Sequence, residues 1–190
     1  MRKATYRIQS ISNSLRTFSR GDTQCKVNAD LNEGIENTLL ILKYRLKANE
    51  KRPAIEVITH YGDLPQVECF PGQLNQVFMN ILANAIDALS ESNKELSYKE
   101  IENNPNRITI KTYLEGNRVK ISIADNGKGM SEEVKQKIFD HLFTTKKVGK
   151  GTGLGLSIAR QIIIEKHGGN LEVSSEIGKG TEFLITIPVL

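Results

Sequence analysis

Residues Gln73 to Leu89 read QLNQVFMNILANAIDAL, and the fold turns on how this stretch is read. At about 100° per residue, Gln73, Gln76, Asn80, Asn84 and Asp87 fall within one arc of about 80°. Nearly everything else from Leu74 to Leu89 is apolar, so the stretch predicts a helix buried on most sides, running from about Gly72 to Leu89. A solvated stripe ordinarily carries Lys and Glu, and this one has no Lys, Arg or Glu. Short amides within an apolar helix suit a partly buried site where oxygen atoms meet a cation or ligand.

On either side of this helix the pattern changes. Ser90 to Asn106 is polar and contains Asn103, Asn104, Pro105 and Asn106, which predicts a flexible insertion. Arg107 to Leu114 and Arg118 to Ala124 then alternate with period two around Glu115, Gly116 and Asn117, a hairpin signal. Upstream, an extended piece around Cys25 to Asn28 precedes Asp30, which can cap a helix carrying Leu31, Ile35, Leu39, Leu42 and Leu46 to about Ala48. Strands are expected over Ile55 to His60 and Gln66 to Phe70, joined by the turn residues Gly62, Asp63 and Pro65. Downstream, a glycine-rich region from Asp125 to Gly155 encloses a short helix near Glu132 to Phe139. A third helix from about Leu156 to His167 ends at Gly168 and Gly169, and a hairpin of Leu171 to Ser174 and Thr181 to Pro188 closes the chain. The sum is an α/β (α+β) fold: a two-layer sandwich of about three helices on a mixed, largely antiparallel sheet of about five strands, not a doubly wound one.

The 190 residues suit one good core plus an appendage. Residues 1–20 are the appendage, with Ala4, Ile8, Ile11, Leu15 and Phe18 in a heptad seam. They read as a bundle or coiled-coil helix, or as a terminal amphipathic helix folded back on the domain of residues 21–190. Twenty-six Lys and Arg against 22 Asp and Glu give +4, scattered along the chain, which does not describe a nucleic-acid surface. Cys25 and Cys69 have no partners at metal-ligand spacing and read as reduced thiols. No stretch reaches about 18 consecutive apolar residues, so the expected setting is soluble and cytoplasmic, without a membrane segment in the chain.

Asp125-Asn126-Gly127-Lys128-Gly129-Met130 follows a strand, and Gly149-Lys150-Gly151-Thr152-Gly153-Leu154-Gly155 precedes a helix. Glycines so spaced let backbone N–H groups approach phosphates, and a helix N-terminus adds a favourable dipole. Neither segment fits the P-loop pattern or the dinucleotide fingerprint, and protein-kinase signatures are absent. Together with the amide stripe, these motifs resemble the catalytic, ATP-binding domain of a two-component sensor histidine kinase, in the superfamily of gyrase, heat-shock chaperone and mismatch-repair ATPases. Asn80 to Ala85 is similar to the asparagine box, Asp125 to Gly129 to the first glycine box and Phe139 to Lys146 to the phenylalanine box. Gly149 to Gly155 and Gly178 to Thr181 resemble the remaining glycine boxes, so the likeness covers about Cys25 to Leu190.

The resemblance implies binding of ATP with Mg²⁺. It implies that Asn84 gives a side-chain oxygen to the metal and that Asn80, one turn earlier, helps orient the metal and the γ-phosphate. It makes Asp125 the acceptor of the adenine N6 hydrogen bond, with Gly127 and Gly129 admitting the base and Thr181 near it through a water. Gly151, Gly153, Leu154 and Gly155 would present N–H groups to the phosphates, with Met130, Thr152 and Leu156 also on the nucleotide's path. Lys146, Lys147 and Lys150 would lie on a lid where cations offset phosphate charge, Lys146 taking a catalytic part.

Two positions depart from the family's pattern. His141 stands where the phenylalanine box usually has Pro, and Asp87 where many sensor kinases have Lys or Arg near the phosphates. None of His60, His141 and His167 is followed by the acidic residue that usually follows the phospho-accepting histidine. The expectation is therefore a piece of a longer kinase, with residues 1–20 the end of the second helix of a dimerisation hairpin. Its implied reaction is transfer of the γ-phosphoryl group to a histidine on that hairpin, and onward to a response-regulator receiver domain. As a fragment it is expected to be a monomer or weak dimer. Two other readings stay open: an ATPase of the same superfamily, and a nucleotide-gated interaction module without turnover.

Overall fold

The computed structural model describes residues 25–145 and 153–189; residues 1–20, Lys146, Lys147, Lys150, Gly151 and Thr152 lie outside them. Strand β1 (Val27–Ala29) leads into helix α1 (Leu31–Leu46), capped by Asp30, whose Oδ1 accepts the N–H groups of Asn32 at 2.8 Å and Glu33 at 3.4 Å. Strands β2 (Glu56–Tyr61) and β3 (Val67–Cys69) follow, then α2 (Pro71–Ser92), where Pro71 opens the first turn without needing an N–H. Next come α3 (Tyr98–Asn103), β4 (Arg107–Glu115), β5 (Arg118–Asp125) and α4 (Glu132–Lys137). After α5 (Gly155–Gln161) the helix widens into a π-helical turn, Ile162–Lys166, before the closing hairpin of β6 (Asn170–Glu176) and β7 (Gly180–Pro188).

Five strands form the main sheet in the order β2-β4-β5-β7-β6. Only β2 with β4 is parallel, which makes the sheet mixed and largely antiparallel as expected. Register carries the apolar residues onto one face: Ile110 pairs with Ile123, Ile123 with Phe183, and Ile121 with Ile185, which also meets Leu171. Against this layer α2 buries Leu74, Val77, Phe78, Ile81, Leu82, Ile86 and Leu89. Leu31, Ile35 and Leu42 of α1, with Ala159, Ile162 and Ile163 after the glycine-rich segment, complete the core. Each of these side chains larger than alanine gains about 1.5 to 3 kcal/mol on leaving water. On the same register the core-facing row of β5 and β7 ends at Asp125 opposite Thr181, a polar pair at the end of an apolar stripe.

Three features differ from the sequence expectation. The two strands flanking Gly62, Asp63 and Pro65 do not pair with each other. β2 ends where Gly62 donates its N–H to Thr112 O at 2.8 Å, while β3, with Val67 and Cys69 buried, pairs with β1. The polar segment expected to be a flexible insertion is ordered: α2 continues to Ser92, and α3 begins with a capping box. There the Ser97 N–H donates to Glu100 Oε2 at 2.7 Å, the Glu100 N–H returns to Ser97 Oγ, and Ile101 docks in the core. The third helix is not α-helical throughout; its widened turn returns His167 to the core. There His167 Nδ1 donates to Ile162 O at 2.9 Å, and Nε2 accepts the N–H of Phe70 at 3.1 Å, immediately before α2.

Candidate nucleotide site

A cavity of about 880 Å³ opens between α2, the end of β5, the start of β7 and the entry to α5. Asp125 lies in its wall at the end of β5, 9% exposed. Burial pushes its carboxyl up to about 6, and the N–H groups of Gly127 and Thr181 work in the other direction without cancelling it. The Gly127 N–H meets Oδ1 at 2.8 Å. Asn126 fastens the same turn to β4: its Oδ1 accepts the Arg107 N–H at 2.7 Å and its Nδ2 donates to Pro105 O at 3.0 Å.

Two glycines are required by close approach. A Cβ at Gly129, where φ is +67°, would stand 2.0 Å from Glu176 O, and one at Gly180, where φ is +94°, would stand 1.9 Å from Asp125 O. The β6–β7 turn thus lies directly on the loop after β5, which only glycine allows. Ser175 ties the two together: its Oγ accepts the Met130 N–H at 2.9 Å, donates to Gly180 O at 2.9 Å and stands 2.9 Å from Thr181 Oγ1. With the Ser175 proton engaged, Thr181 is the donor of that last contact, and its oxygen keeps lone pairs for the cavity it lines.

On α2 the carboxamide of Asn80 donates from Nδ2 to Gly155 O at 2.9 Å, which fixes the start of α5 to the helix and leaves Oδ1 as the accepting group. Asn84 lies one turn further on and lines the same cavity, followed by Asp87, whose Oδ1 pairs with Arg45 Nη2 at 2.5 Å. Glu91 marks the far wall, engaged by both Lys94 and, at 3.2 Å, Lys128, and these two cations hold its carboxyl below the usual range. Phe143 lines the opposite side, while Phe139 stacks edge-on against Phe183, ring centroids 6.5 Å apart, under the guanidinium of Arg160.

Of the residues singled out in the sequence, Asn80, Asn84, Asp125, Gly129, Met130, Gly153, Gly155, Leu156 and Thr181 all line this one cavity. Gly127 supports Asp125 from behind, and Leu154 starts α5, its carbonyl accepting the Ile158 N–H at 3.0 Å and the Ser157 hydroxyl at 2.9 Å. The amide stripe is only half a site: Gln76 is solvent-exposed, and neither it nor Gln73 lines the cavity. Glu91 and Arg45 were not singled out. Glu91 continues the arc of Asn84 and Asp87 one turn further, a signal hidden by ending the helix at Leu89. Arg45 sits 42 residues away, and no local pattern points to it.

Among the described residues no group of three or more His, Cys, Asp or Glu could hold a metal ion. The residues present would still suit Mg²⁺ that arrives with its own phosphate oxygens and waters, because such an ion takes only one or two ligands from the protein, and Asn84, whose amide carries an oxygen of the right kind, lines the cavity. No helix among the described residues is long and apolar enough to cross a membrane.

Residues 70–190 match the family described as histidine kinase-, DNA gyrase B-, and HSP90-like ATPase, and the chain belongs to that family. It is 33% identical over 183 residues to sporulation kinase E of Bacillus subtilis, covering 96% of this chain and 22% of that protein. It is 34% identical over 160 residues to the sensor histidine kinase ZraS of Escherichia coli, covering 84% of this chain and 30% of that one. Among solved structures, the catalytic domain of the histidine kinase ThkA superposes with a TM-score of 0.66 at 28% identity, covering 86% of this chain and 95% of that chain. The chain thus spans less than a third of the length of these curated relatives and nearly all of a catalytic domain.

Proposed function

We propose that this domain binds Mg-ATP and delivers its γ-phosphoryl group to a histidine on a dimerisation hairpin, with residues 1–20 as the end of that hairpin's second helix and residues 21–190 as the catalytic unit. The observation that carries this reading is that Asp125, Asn80 and Asn84, from segments some forty residues apart in sequence, border one cavity. Asp125 accepts from adenine N6, Thr181 stands beside it, and Asn84 turns its oxygen to the metal, which offsets phosphate charge when bound. Gly153, Leu154 and Gly155 offer backbone N–H groups to the phosphates, joined by Gly151, Thr152 and the cations Lys146, Lys147 and Lys150. Positioning and charge stabilisation supply the catalysis, with little covalent chemistry for the protein to perform.

Transfer is favoured over hydrolysis by Asn80. A carboxylate could take a proton from an attacking water, whereas an amide cannot, and this one is also tied to Gly155 O at 2.9 Å. None of the chain's own histidines serves as acceptor in this reading. Both ring nitrogens of His167 are engaged in the core. His60 lies within β2, and His141 is exposed at the edge of the phenylalanine box. Downstream, a response-regulator receiver aspartate would take the phosphoryl group. The test mixes the chain with labelled ATP and a separately made histidine-bearing hairpin. Label on the hairpin supports the reading. ATP binding with no transfer to any hairpin returns it to a nucleotide-gated interaction module.

A further inference from the structure

Asp87 stands three residues beyond Asn84 on α2 and lines the same cavity. A carboxylate on that wall, one turn from the residue that the proposed function gives to the metal, would repel phosphates entering the cavity. The described cations that line the cavity are Lys94 and Lys128, and both reach Glu91, at the other end of this helix face. A cation that meets Asp87 comes from a different helix: Arg45, in the last turn of α1, with Nη2 2.5 Å from Oδ1.

Fold stability does not account for this pair. Its side chains are 41% and 36% exposed, and ion pairs so exposed contribute little to stability. The placement of Arg45 is nevertheless built. Arg52, 7% exposed, donates to the carbonyls of Arg45, of Lys47 at 3.2 Å and of Pro53 at 2.9 Å, which closes the end of α1 and fixes the backbone from which Arg45 reaches out. Arg45 also lines a cleft of about 340 Å³ together with Tyr44, Lys47 and Ser90. Arg45 also lies outside the segment 70–190 that carries the family match.

We infer that Arg45 is a positioning residue for the nucleotide's polyphosphate. It offsets the charge of Asp87 in the free domain and shares its own charge with the phosphates when they enter. The inference rests on the ATP-binding reading above. Its signature is an effect graded by ligand charge, which a merely structural residue would not produce.

The test is calorimetric titration of the whole chain with ATP, ADP and adenosine, each with Mg²⁺, for the unmutated protein and for Arg45→Gln, Arg45→Lys, Asp87→Asn and the Arg45→Gln/Asp87→Asn double variant. Arg45→Gln is expected to weaken ATP about tenfold and ADP about threefold while leaving adenosine unchanged, since the repulsion it exposes scales with phosphate charge. Arg45→Lys should keep most of the affinity, and the double variant should recover most of the loss. Equal losses for all three ligands, or a double variant no better than Arg45→Gln, overturn the role of Arg45. If Arg45→Gln fails to fold, Asp87→Asn alone decides: ATP binding at least as tight as the unmutated chain supports the inference, and weaker binding overturns it. An unmutated chain that binds neither ATP nor ADP overturns the ATP-binding reading itself, and the inference with it.

Discussion

Asp125 and Thr181 are directly opposed across β5 and β7, and the Thr181 N–H together with that of Gly127 donates to the Asp125 carboxylate at the end of an otherwise apolar row. Two donors and deep burial compete at one carboxyl, and burial wins, since its pKa stands at about 6 against an ordinary 3.8. In the proposed function adenine N6 donates to this carboxyl, and protonation turns one of its two accepting oxygens into a donor. ATP affinity should therefore hold above pH 6 and weaken by up to about tenfold per pH unit below it. Asp125→Ala should weaken ATP about tenfold to a hundredfold, the worth of a hydrogen bond to a charged group. Calorimetry between pH 5 and pH 8 checks both, and an affinity flat across that range removes Asp125 from adenine recognition.

The same carboxylate has a stability consequence of the opposite sign to the usual salt-bridged acid. Its folded-state pKa is raised, so between about pH 4 and pH 6 the folded chain holds a proton that the unfolded chain has lost. Stability from this group is greatest at low pH and falls as pH rises through that window, leaving a cost on the order of 3 kcal/mol at neutral pH. Asp125→Asn keeps an acceptor for Gly127 and removes the charge. It is expected to raise the Tm at pH 7.5, and a lowered Tm there would show that ionised Asp125 supports the fold.

His167 provides a second pH dependence. Burial lowers its pKa, the nearby Lys26 adds to this, and the hydrogen bond to Ile162 O opposes it. The unfolded chain then takes up the proton first. The stability contributed is intact above pH 6.5 and is lost as pH falls below that value, because a protonated ring can no longer accept from the Phe70 N–H. In the Asp125→Asn background, where the opposing carboxyl is gone, urea midpoints should drop between pH 7.5 and pH 5.5. His167→Gln, able to donate to Ile162 O and accept from Phe70, should flatten that drop.

What the sequence discloses and what it hides follow from interaction range. Period-two runs named β4, β5 and β7, and the amides of α2 pointed to the cavity, because both signals lie within a few turns or strands of chain. The capping box at Ser97 and Glu100 was equally local, but Asn103, Asn104 and Pro105 nearby suggested an unstructured loop. The pairing of β3 with β1, 38 residues apart at Ala29 and Val67, and the Arg45–Asp87 contact leave no periodic trace, since each depends on how α1 packs against α2. The widened turn before His167 is similar: Ile162, Ile163 and Ile164 read as ordinary helix, and the contact that accompanies the π geometry, His167 Nδ1 to Ile162 O, is a side-chain bond that periodicity does not register.

Asn84 tests the metal. Asn84 lines the cavity, and in the proposed function its amide oxygen is the ligand for an ion held chiefly by phosphates and water. Chelating Mg²⁺ should weaken ATP binding to the unmutated chain, and Asn84→Ala should bind ATP equally with and without Mg²⁺ while losing transfer to a supplied hairpin. Asn84→Asp keeps an oxygen but sets a negative charge beside the phosphates and should lose transfer as well. If Asn84→Ala keeps a full Mg²⁺ dependence in calorimetry, another group holds the ion.

In the proposed function the choice between transfer and hydrolysis rests on Asn80. Its Nδ2 donates to Gly155 O, so the amide braces α5 against α2 and keeps Oδ1 and its second N–H for other partners. General-base activation of water needs a group that takes up a proton near neutral pH, and an amide does not. In the proposed function water beside the γ-phosphate would lack that activation, while the neutral imidazole of a hairpin histidine would attack through a lone pair it already has. The chain alone should bind ATP and hydrolyse it far below about 1 per second, the low end for typical enzymes. Label from γ-labelled ATP should appear on none of His60, His141 and His167, and on an added hairpin as acid-labile, base-stable phosphate. Steady turnover above about 1 per second by the chain alone would assign it to the hydrolysing branch of its family, with some group other than Asn80 activating the water.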